Sequence, residues 1–335
     1  MTTEQLIYVD DTLPGITRKG AGKGWAYYDP KGHLITDRAE KKRLNAIALP
    51  PAYTDEWFCP APNGHILATG YDDKGRKQYR YHPDFREMRE NEKFDSCVAF
   101  GKLLPLVRRR VERDLATDGM NRERAVASVI RLLDLGFLRI GNDQYAKRNK
   151  SYGATTLRRK HVEIEDDGVH LTYRGKSGKD QDITVHDDEF RRVVEDLQEL
   201  PGQELFQFID ADGDRHQVSS SDVNAYLRET MGEDFTAKSF RTWHASVMAF
   251  GVLASATDRL TIKAVVEAVA DELGNTAAVT RDSYIHPAVI DLIDEQEEWR
   301  ASLKLPRSAK FQSREERGLI EMLEELPDRA DMVAA

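Results

Sequence analysis

Residues 273–286 read LGNTAAVTRDSYIH, and this stretch determines how the rest of the chain is interpreted. The glycine at position 274 follows an apolar helical pattern, which is typical of a helix end. The amide Asn275 comes next, and Tyr284 lies nine residues beyond it. A single tyrosine beside apolar residues is usually packed against a core. Tyr284 is therefore a candidate nucleophile only if other reactive side chains accompany it.

Three basic residues earlier in the chain are the candidates to accompany it. Arg139 lies in LRIGND (138–143), Lys176 in RGKSGK (174–179) and Arg241 in KSFRT (238–242). Arginine donates paired hydrogen bonds to the non-bridging oxygens of a phosphodiester, where charge builds up when a tyrosine oxygen attacks. The departing alkoxide needs a proton, which a lysine can supply if burial and positive neighbours lower its pKa. A phosphotyrosine keeps the energy of the phosphodiester bond, so rejoining requires neither ATP nor a metal.

In this order of residues the chain resembles the type IB DNA topoisomerases, specifically their short bacterial and poxvirus-like branch. The resemblance extends from about Lys23 to the region after Tyr284. It implies a nucleophile, two phosphate-binding arginines and a general acid, which are Tyr284, Arg139, Arg241 and Lys176. Many relatives carry histidine at the position of Asn275. An amide donates a hydrogen bond to phosphate but carries no full positive charge, so we expect Asn275 to contribute less.

The motif RKQYRY at residues 76–81 belongs to the same resemblance. Glutamine and tyrosine side chains can reach base edges, while arginine binds phosphates. The resemblance implies DNA contacts at four residues of this motif and at one tyrosine six residues beyond Arg139; the five residues are Arg76, Gln78, Tyr79, Tyr81 and Tyr145. The alternative is an edge strand whose tyrosines are stabilised by cross-strand pairs.

The hydropathy pattern predicts an α+β fold. Residues 1–90 are rich in glycine, proline, tyrosine and turn signals, which predicts a small antiparallel β-rich domain. The resemblance implies that this domain clamps DNA. Helical periodicity dominates from Phe100 onward. Residues 91–335 are therefore predicted to form a larger, mostly α-helical catalytic domain with an acidic C-terminal tail.

The candidate residues of this second domain can be assigned to elements. Apolar positions before Arg139 predict a helix that ends close to it. Three alternating runs predict a three-stranded antiparallel sheet with Lys176 at a hairpin tip. Arg241 falls on a helix that is predicted from Thr236 to Ala256. His244 lies three residues from Arg241, and its simpler interpretation is a histidine that packs or hydrogen-bonds locally.

The charge distribution bears on a nucleic-acid partner. A net charge of −9 opposes DNA binding unless the basic residues are segregated on one surface. From Gln144 to His161 there are six basic and no acidic residues, whereas acidic residues gather between Asp187 and Asp214 and after Glu315. A charge run is often only a solvated face. Beside the candidate cleavage residues, however, it favours phosphate contacts.

Composition also restricts the cellular setting. Two cysteines in 335 residues argue against a disulfide scaffold and fit a reducing cytoplasm. The longest apolar-rich stretch, Val247 to Ala256, is too short to cross a bilayer, and no signal peptide is recognised. We expect a cytoplasmic, nucleoid-associated enzyme that acts on duplex DNA as a monomer, without a cofactor.

Two near-matches to ligand-binding motifs fail. Residues 175–177 read GKS, but His170 stands where a nucleotide-binding P-loop requires its first glycine. The acidic run at 210–214 suggests a calcium loop, but Ser221 occupies the closing position that requires glutamate. The sequence therefore predicts neither a nucleotide site nor a metal site.

Two alternative functions remain open. A tyrosine recombinase or integrase has a similar spacing around Tyr284, but would usually carry histidine in place of Lys238 and histidine or tryptophan in place of Asn275. It would also begin with a helical domain, so all three features argue against it. A non-enzymatic DNA-binding protein is the second alternative, and it predicts that Tyr284→Phe changes only packing.

Overall fold

The computed structural model describes residues 5–22 and 24–326. The chain divides into two compact units, Met1–Lys93 and Phe94–Ala335. The division falls within one long helix, Pro83–Leu115.

The first unit is built mainly from short antiparallel strands. Its elements are β1 (Thr17–Ala21), β2 (Gly24–Tyr28), α1 (Arg38–Ala46), β3 (Thr54–Phe58), β4 (Ile66–Tyr71) and β5 (Lys77–Tyr81). Strands β1 and β2 pair with each other, and β3, β4 and β5 form a sheet in that order, with β5 at its edge. Tyr27 of β2, Leu44 of α1 and Phe58 of β3 form part of a small core. The predicted antiparallel β-rich start of the chain is confirmed.

The second unit is mostly helical. Its helices follow the long helix α2 (Pro83–Leu115) and are α3 (Arg122–Gly136), α4 (Asp143–Asn149), α5 (Asp188–Glu199), α6 (Ser220–Met231), α7 (Ala237–Ser255), α8 (Ile262–Glu272), α9 (Ala277–Ser283), α10 (Pro287–Asp291), α11 (Gln296–Ser302) and α12 (Arg314–Glu324). Its strands are β6 (Val162–Glu165), β7 (Gly168–Arg174), β8 (Asp180–Val185), β9 (Gln207–Ile209) and β10 (Arg215–Gln217). Strands β6, β7 and β8 form the predicted three-stranded antiparallel sheet.

Helix α2 begins well before Phe100, where helical periodicity becomes visible in the sequence. Pro83 occupies its first position, where the missing N–H costs nothing and the fixed φ favours a helix. No residue between Pro83 and Lys93 is fully buried, and the first buried side chain is Phe94. The start of α2 therefore lacks the apolar stripe from which a helix is recognised.

The acidic C-terminal segment includes a packed helix. Helix α12 begins with a capping box between Ser313 and Glu316, and buries Leu319 and Leu323. It packs against α7, which carries Arg241. The predicted tail is therefore part of the folded unit as far as α12 extends, and residues 327–335 lie outside the described residues.

The described part of the chain contains no helix that is both long and apolar enough to cross a membrane. Within residues 5–22 and 24–326, no group of three or more histidine, cysteine, aspartate or glutamate side chains could hold a metal ion. Asp210 instead hydrogen-bonds to His216 across the turn between β9 and β10, with Oδ2 and Nε2 2.6 Å apart.

Candidate active site

Arg139 lies in a loop whose backbone is held by two glycines. Helix α3 ends at Gly136, and Phe137 caps it with a left-handed backbone, so Arg139 lies beyond the helix terminus where the sequence placed it. The N–H of Ala154 donates to the Arg139 carbonyl at 2.8 Å. A Cβ atom on Gly153 would lie 2.5 Å from the same carbonyl oxygen, and Gly141 has φ +95°. Glycine is therefore needed for this close approach, which fixes the backbone of Arg139.

Arg241 joins the ends of two helices. It lies on α7 and is only 3% exposed. One guanidinium nitrogen donates to the carbonyl of Phe137 at the end of α3, and Nη2 donates to the carbonyl of Leu273 at the end of α8, at 2.9 Å. Its Nε is buried without a hydrogen-bond partner in the described part of the chain. These two carbonyl contacts place the guanidinium beside the loops that carry Arg139 and Asn275.

Asn275 contacts Arg139 directly. After α8, Gly274 adopts a left-handed backbone with φ +60°, as predicted for a helix-ending glycine, and the chain turns so that Asn275 is 8% exposed. Its Oδ1 accepts a hydrogen bond from Nη2 of Arg139. Its Nδ2 is buried and has no partner among the described residues. The amide therefore retains a donor group that a ligand at this position would satisfy.

Tyr284 lies at the end of α9 and is half-buried. The centroid of its ring is 5.1 Å from Cζ of Arg241. Its backbone N–H donates to the carbonyl of Thr280 at 3.1 Å, and this bond holds the backbone from which the side chain projects. The structure thus brings four of the predicted site residues into one group: Arg139, Arg241, Asn275 and Tyr284.

The charges of this group favour ionisation of the phenol. Burial raises the pKa of Tyr284, but three positive charges outweigh burial and hold that pKa below its ordinary value; they belong to Arg241, Arg139 and Lys238. Burial, followed by the charge of Arg139, lowers the pKa of Arg241. Two neighbouring guanidiniums thus destabilise each other when no anion is present. An anionic ligand would relieve this repulsion.

Lys176 is not held against the other four residues. It lies in a short 3₁₀ turn between β7 and β8 and is exposed. Its ammonium makes no hydrogen bond or ion pair within the described ranges. Lys179 of the same turn instead donates to the backbone carbonyl of Asn275 at 3.0 Å. The hairpin tip therefore lies beside the site through Lys179, while Lys176 is exposed in the same turn.

Three residues near the site were missed by the sequence analysis. Lys179 is the second lysine of the same hairpin motif, and Lys238 precedes Arg241 by one helical turn. Tyr173, on β7, is a second tyrosine whose phenol is influenced by Arg241 and Arg139. Burial raises the pKa of Tyr173. No sequence pattern distinguishes Tyr173 from a core tyrosine, because its proximity to the arginines depends on how the sheet packs.

His244 belongs to a separate buried network. Its Nε2 lies 2.9 Å from Oδ1 of Asp134, and both side chains are buried. Arg108 binds Asp134 through Nε at 2.7 Å, and binds Glu316 of α12 through Nη1 at 2.8 Å. The His244 ring also packs against Phe137, with centroids 4.8 Å apart. The network therefore supports the carbonyl to which Arg241 donates.

The predicted DNA-contacting residues of the first unit lie on and before β5. The rings of Tyr79 and Tyr81 are stacked with centroids 5.7 Å apart, and both are about 40% exposed. Arg76 and Gln78 instead hydrogen-bond to Asp72. In the second unit, Tyr145 is 46% exposed on α4.

Known proteins share both parts of this architecture. The family model described as eukaryotic DNA topoisomerase I, catalytic core, matches residues 82–303, which is more than half of the chain. The model of the bacterial DNA topoisomerase IB N-terminal domain matches residues 24–72. DNA topoisomerase 1B of Acanthamoeba polyphaga mimivirus is 33% identical over 301 residues, which cover 86% of this chain and 90% of that protein. This chain belongs to the type IB DNA topoisomerase family.

A more distant relative agrees with this assignment. DNA topoisomerase 1B of vaccinia virus, strain Copenhagen, is 20% identical over 236 residues, which cover 69% of this chain and 73% of that protein. A solved structure of the XerH site-specific recombinase, bound to palindromic difH substrate, aligns with a TM-score of 0.40 and 14% identity over 59% of this chain and 51% of that chain. That similarity is too low to bear on function. The family and enzyme class predicted from the sequence are confirmed: the protein is a type IB topoisomerase, an isomerase.

Proposed function

We propose that this topoisomerase relaxes supercoiled duplex DNA through a 3′-phosphotyrosine on Tyr284. The observation that carries the proposal is the position of the Tyr284 ring against the guanidinium of Arg241, which also lowers the pKa of the phenol. A lowered pKa increases the fraction of phenolate, and phenolate is the nucleophilic form.

The chemistry proceeds by exchange of one phosphodiester for another. The phenolic oxygen bonds to phosphorus, the bond from phosphorus to the 5′ oxygen breaks, and the phenolic proton passes to solvent. Negative charge on the non-bridging oxygens would be stabilised by Arg139, Arg241 and the unpaired Nδ2 of Asn275. After the downstream duplex has rotated, the 5′ hydroxyl attacks the phosphotyrosine and restores the strand. Torsional strain drives rotation, so no ATP is consumed.

Both units of the chain carry side chains that we propose contact duplex DNA. The exposed edge of β5 carries Tyr79 and Tyr81, which we propose contact the major groove, while Arg76 contacts phosphate and Tyr145 contacts DNA from the second unit. One set of catalytic side chains cuts one strand at a time, so we propose that a monomer acts without a nucleotide cofactor. A cytoplasmic enzyme on the nucleoid follows from this substrate.

A relaxation assay tests the proposal. Purified protein is incubated with negatively supercoiled plasmid in EDTA and without ATP, over a series of salt concentrations because phosphate contacts weaken with salt. We expect relaxed topoisomers, and addition of denaturant should trap protein on the 3′ side of the nick. Absence of relaxation at every salt concentration, or attachment to a 5′ end, would contradict the proposal.

We propose that Lys176 is the general acid that protonates the 5′ oxygen. Lys179 is engaged with the Asn275 carbonyl, whereas the ammonium of Lys176 is not held by any described residue, so it can move to the leaving oxygen. Lys176→Ala should slow cleavage of ordinary DNA by about 10²- to 10⁴-fold. A substrate with sulfur in place of the 5′ bridging oxygen should be cleaved almost normally, because a thiolate leaves without a proton.

The matched variant is Lys179→Ala, which removes a lysine from the same turn. We expect Lys179→Ala to reduce the cleavage rate, relative to the wild type, by a similar factor on the oxygen substrate and on the sulfur substrate. If sulfur restores cleavage by Lys179→Ala and not by Lys176→Ala, the acid is Lys179. Single-turnover cleavage rates on the two substrates make the comparison.

A further inference from the structure

Asp72 organises the turn that precedes the proposed DNA-contacting edge of the first unit. Asp72 lies directly after the last residue of β4, and it is 8% exposed. Its Oδ1 accepts from the backbone N–H groups of Lys74 at 3.0 Å and Arg76 at 2.9 Å. Its Oδ2 accepts from Nε of Arg76 at 2.8 Å and from Nε2 of Gln78 at 3.0 Å. One carboxylate thus holds two side chains that are proposed to contact DNA.

This contact determines how the amide of Gln78 is turned. An ionised carboxylate only accepts hydrogen bonds, so the Gln78 atom that faces Asp72 must be the nitrogen. Turning the amide by 180° would place its oxygen against a carboxylate oxygen and leave both without a donor. The hydrogen bond from Arg76 is the largest of the effects that lower the pKa of Asp72 to about 2, so the carboxyl is ionised at neutral pH.

With its nitrogen on Asp72, Gln78 presents its oxygen to a ligand. Gln78 Oε1 accepts no hydrogen bond from residues 5–22 or 24–326. If Nε2 donates to Asp72 the hydrogen that lies trans to Oε1, its second hydrogen lies on the same edge of the amide as this oxygen. The side chain therefore offers one acceptor and one donor, side by side and in a fixed order.

We propose that Asp72 is a positioning residue for base recognition, which holds Gln78 so that it selects a base with an exocyclic amino group in the major groove, adenine before cytosine. The inference rests on the proposed action on duplex DNA. Adenine presents the N6 amino donor beside the N7 acceptor, which matches both groups of the amide edge. Cytosine presents only the N4 amino donor. Guanine and thymine place acceptor oxygens against Gln78 Oε1, which disfavours both.

The strand geometry allows this contact. Side chains alternate along a strand, so Gln78 lies on the opposite face of β5 from Tyr79 and Tyr81. Because β5 is the edge strand, a groove that receives this edge meets side chains of both faces. Gln78 is half-buried, which suits a side chain fixed before DNA arrives.

Cleavage of a randomised duplex library tests the inference. Covalent complexes are trapped with denaturant and sequenced for the wild type, Asp72→Asn, Gln78→Met and Asp73→Asn. Asp72→Asn keeps an oxygen for the backbone N–H groups of Lys74 and Arg76 and places an amide donor where Oδ2 accepted from Gln78. Such a donor pairs with Gln78 Oε1 and not with Nε2, so the variant favours the reversed orientation of the Gln78 amide. Asp73 is exposed and makes no side-chain hydrogen bond or ion pair within the described ranges, so Asp73→Asn controls for the change in charge.

In the wild type, we expect one position at which adenine is favoured over guanine and thymine by about 5- to 150-fold, the range of a bidentate base contact. Gln78→Met should remove this preference and Asp72→Asn should reduce it at least about fivefold. Asp73→Asn should retain it. Asp73→Asn should also relax plasmid at the wild-type rate, because Asp73 belongs neither to the proposed DNA-contacting residues nor to the group around Tyr284.

The inference is overturned if Asp72→Asn keeps the base preference of the wild type, if Gln78→Met leaves every position unchanged, or if the preferred base is guanine or thymine. In each of these cases plasmid relaxation still supports the proposed function. If the wild type traps no covalent complex and relaxes no plasmid, the proposed function fails and the inference falls with it.

Discussion

Tyr284→Phe is expected to abolish plasmid relaxation, with a loss of more than about 1,000-fold, because phenylalanine has no oxygen to form the phosphotyrosine. Binding of duplex DNA should persist, since the proposed phosphate contacts come from Arg139 and Arg241. The ring is retained against Arg241, so the free energy of unfolding should change by less than about 1.5 kcal/mol. Relaxation assays, binding by fluorescence anisotropy and urea unfolding provide the three measurements.

Tyr173→Phe is the matched control. Tyr173 is the other phenol that is influenced by Arg139 and Arg241, but burial raises its pKa, whereas that of Tyr284 is lowered. We therefore expect Tyr173→Phe to relax plasmid and to form the covalent complex. If Tyr173→Phe loses the complex and Tyr284→Phe keeps it, the nucleophile has been misassigned. If neither variant loses it, neither phenol is the nucleophile.

Arg108→Met is expected to destabilise the catalytic unit by about 3 to 5 kcal/mol at pH 7. Arg108 is the cation shared by two buried carboxylates, Asp134 and Glu316. Removal of the cation from a buried ion pair leaves uncompensated charge, which is the costly case. His244 stays on Asp134 but does not reach Glu316. Urea unfolding monitored by tryptophan fluorescence measures the change, since Trp243 donates to Glu316 Oε1 at 3.1 Å.

The free energy of unfolding of Arg108→Met should depend on pH with a sign opposite to that of the wild type. In the wild type, burial raises the pKa of Asp134 and Glu316, but Arg108 lowers both below their ordinary values. Their contribution to stability is therefore complete above the unfolded pKa of about 4 and declines as pH falls through the lower folded pKa. Without Arg108, only His244, Ser313 and Trp243 still oppose the effect of burial, so the pKa values of both carboxyls rise relative to the wild type and the folded variant takes up protons more readily. Its deficit should shrink between pH 7 and pH 5.

Arg109→Met removes the same charge at the next position of α2. Arg109 is exposed, and its Cζ lies 5.9 Å from the ring centroid of Phe311. We expect its free energy of unfolding to change by no more than about 0.5 kcal/mol. A change of less than 1 kcal/mol for Arg108→Met, in contrast, would show that the buried network contributes little.

Much of the fold is readable from local pattern. The runs that predict β6, β7 and β8 alternate in hydropathy, and Gly274 and Ser219 mark helix ends by their own backbone and capping chemistry. The start of α2 is not readable, because its first turns bury no apolar stripe. The sequence predicts that α3 ends close to Arg139, but its exact end at Gly136 is not readable, because Phe137 adopts a left-handed backbone that is uncommon outside glycine.

The candidate site divides in the same way. The order of its residue types is read directly from short motifs around Arg139, Lys176 and Tyr284, and the resemblance of these motifs identifies the family. The role of Glu316 could not be found, because a glutamate in an acidic segment resembles a solvated residue until Arg108 is seen beside it. Nor does any local pattern reveal that Asp72 accepts from Gln78.

The amino-acid sequence alone determined the reaction class, since a tyrosine, two arginines and a lysine carry their reactivity in their own side chains. It also determined the elements on which these residues lie, because helix and strand periodicity is local. Only the tertiary structure decided which groups meet: Asn275 contacts Arg139 across 136 residues, and Lys179 rather than Lys176 is tied to that loop. The physical reason is that such contacts depend on packing between distant segments, and hydrogen-bond direction depends on which partner packing supplies.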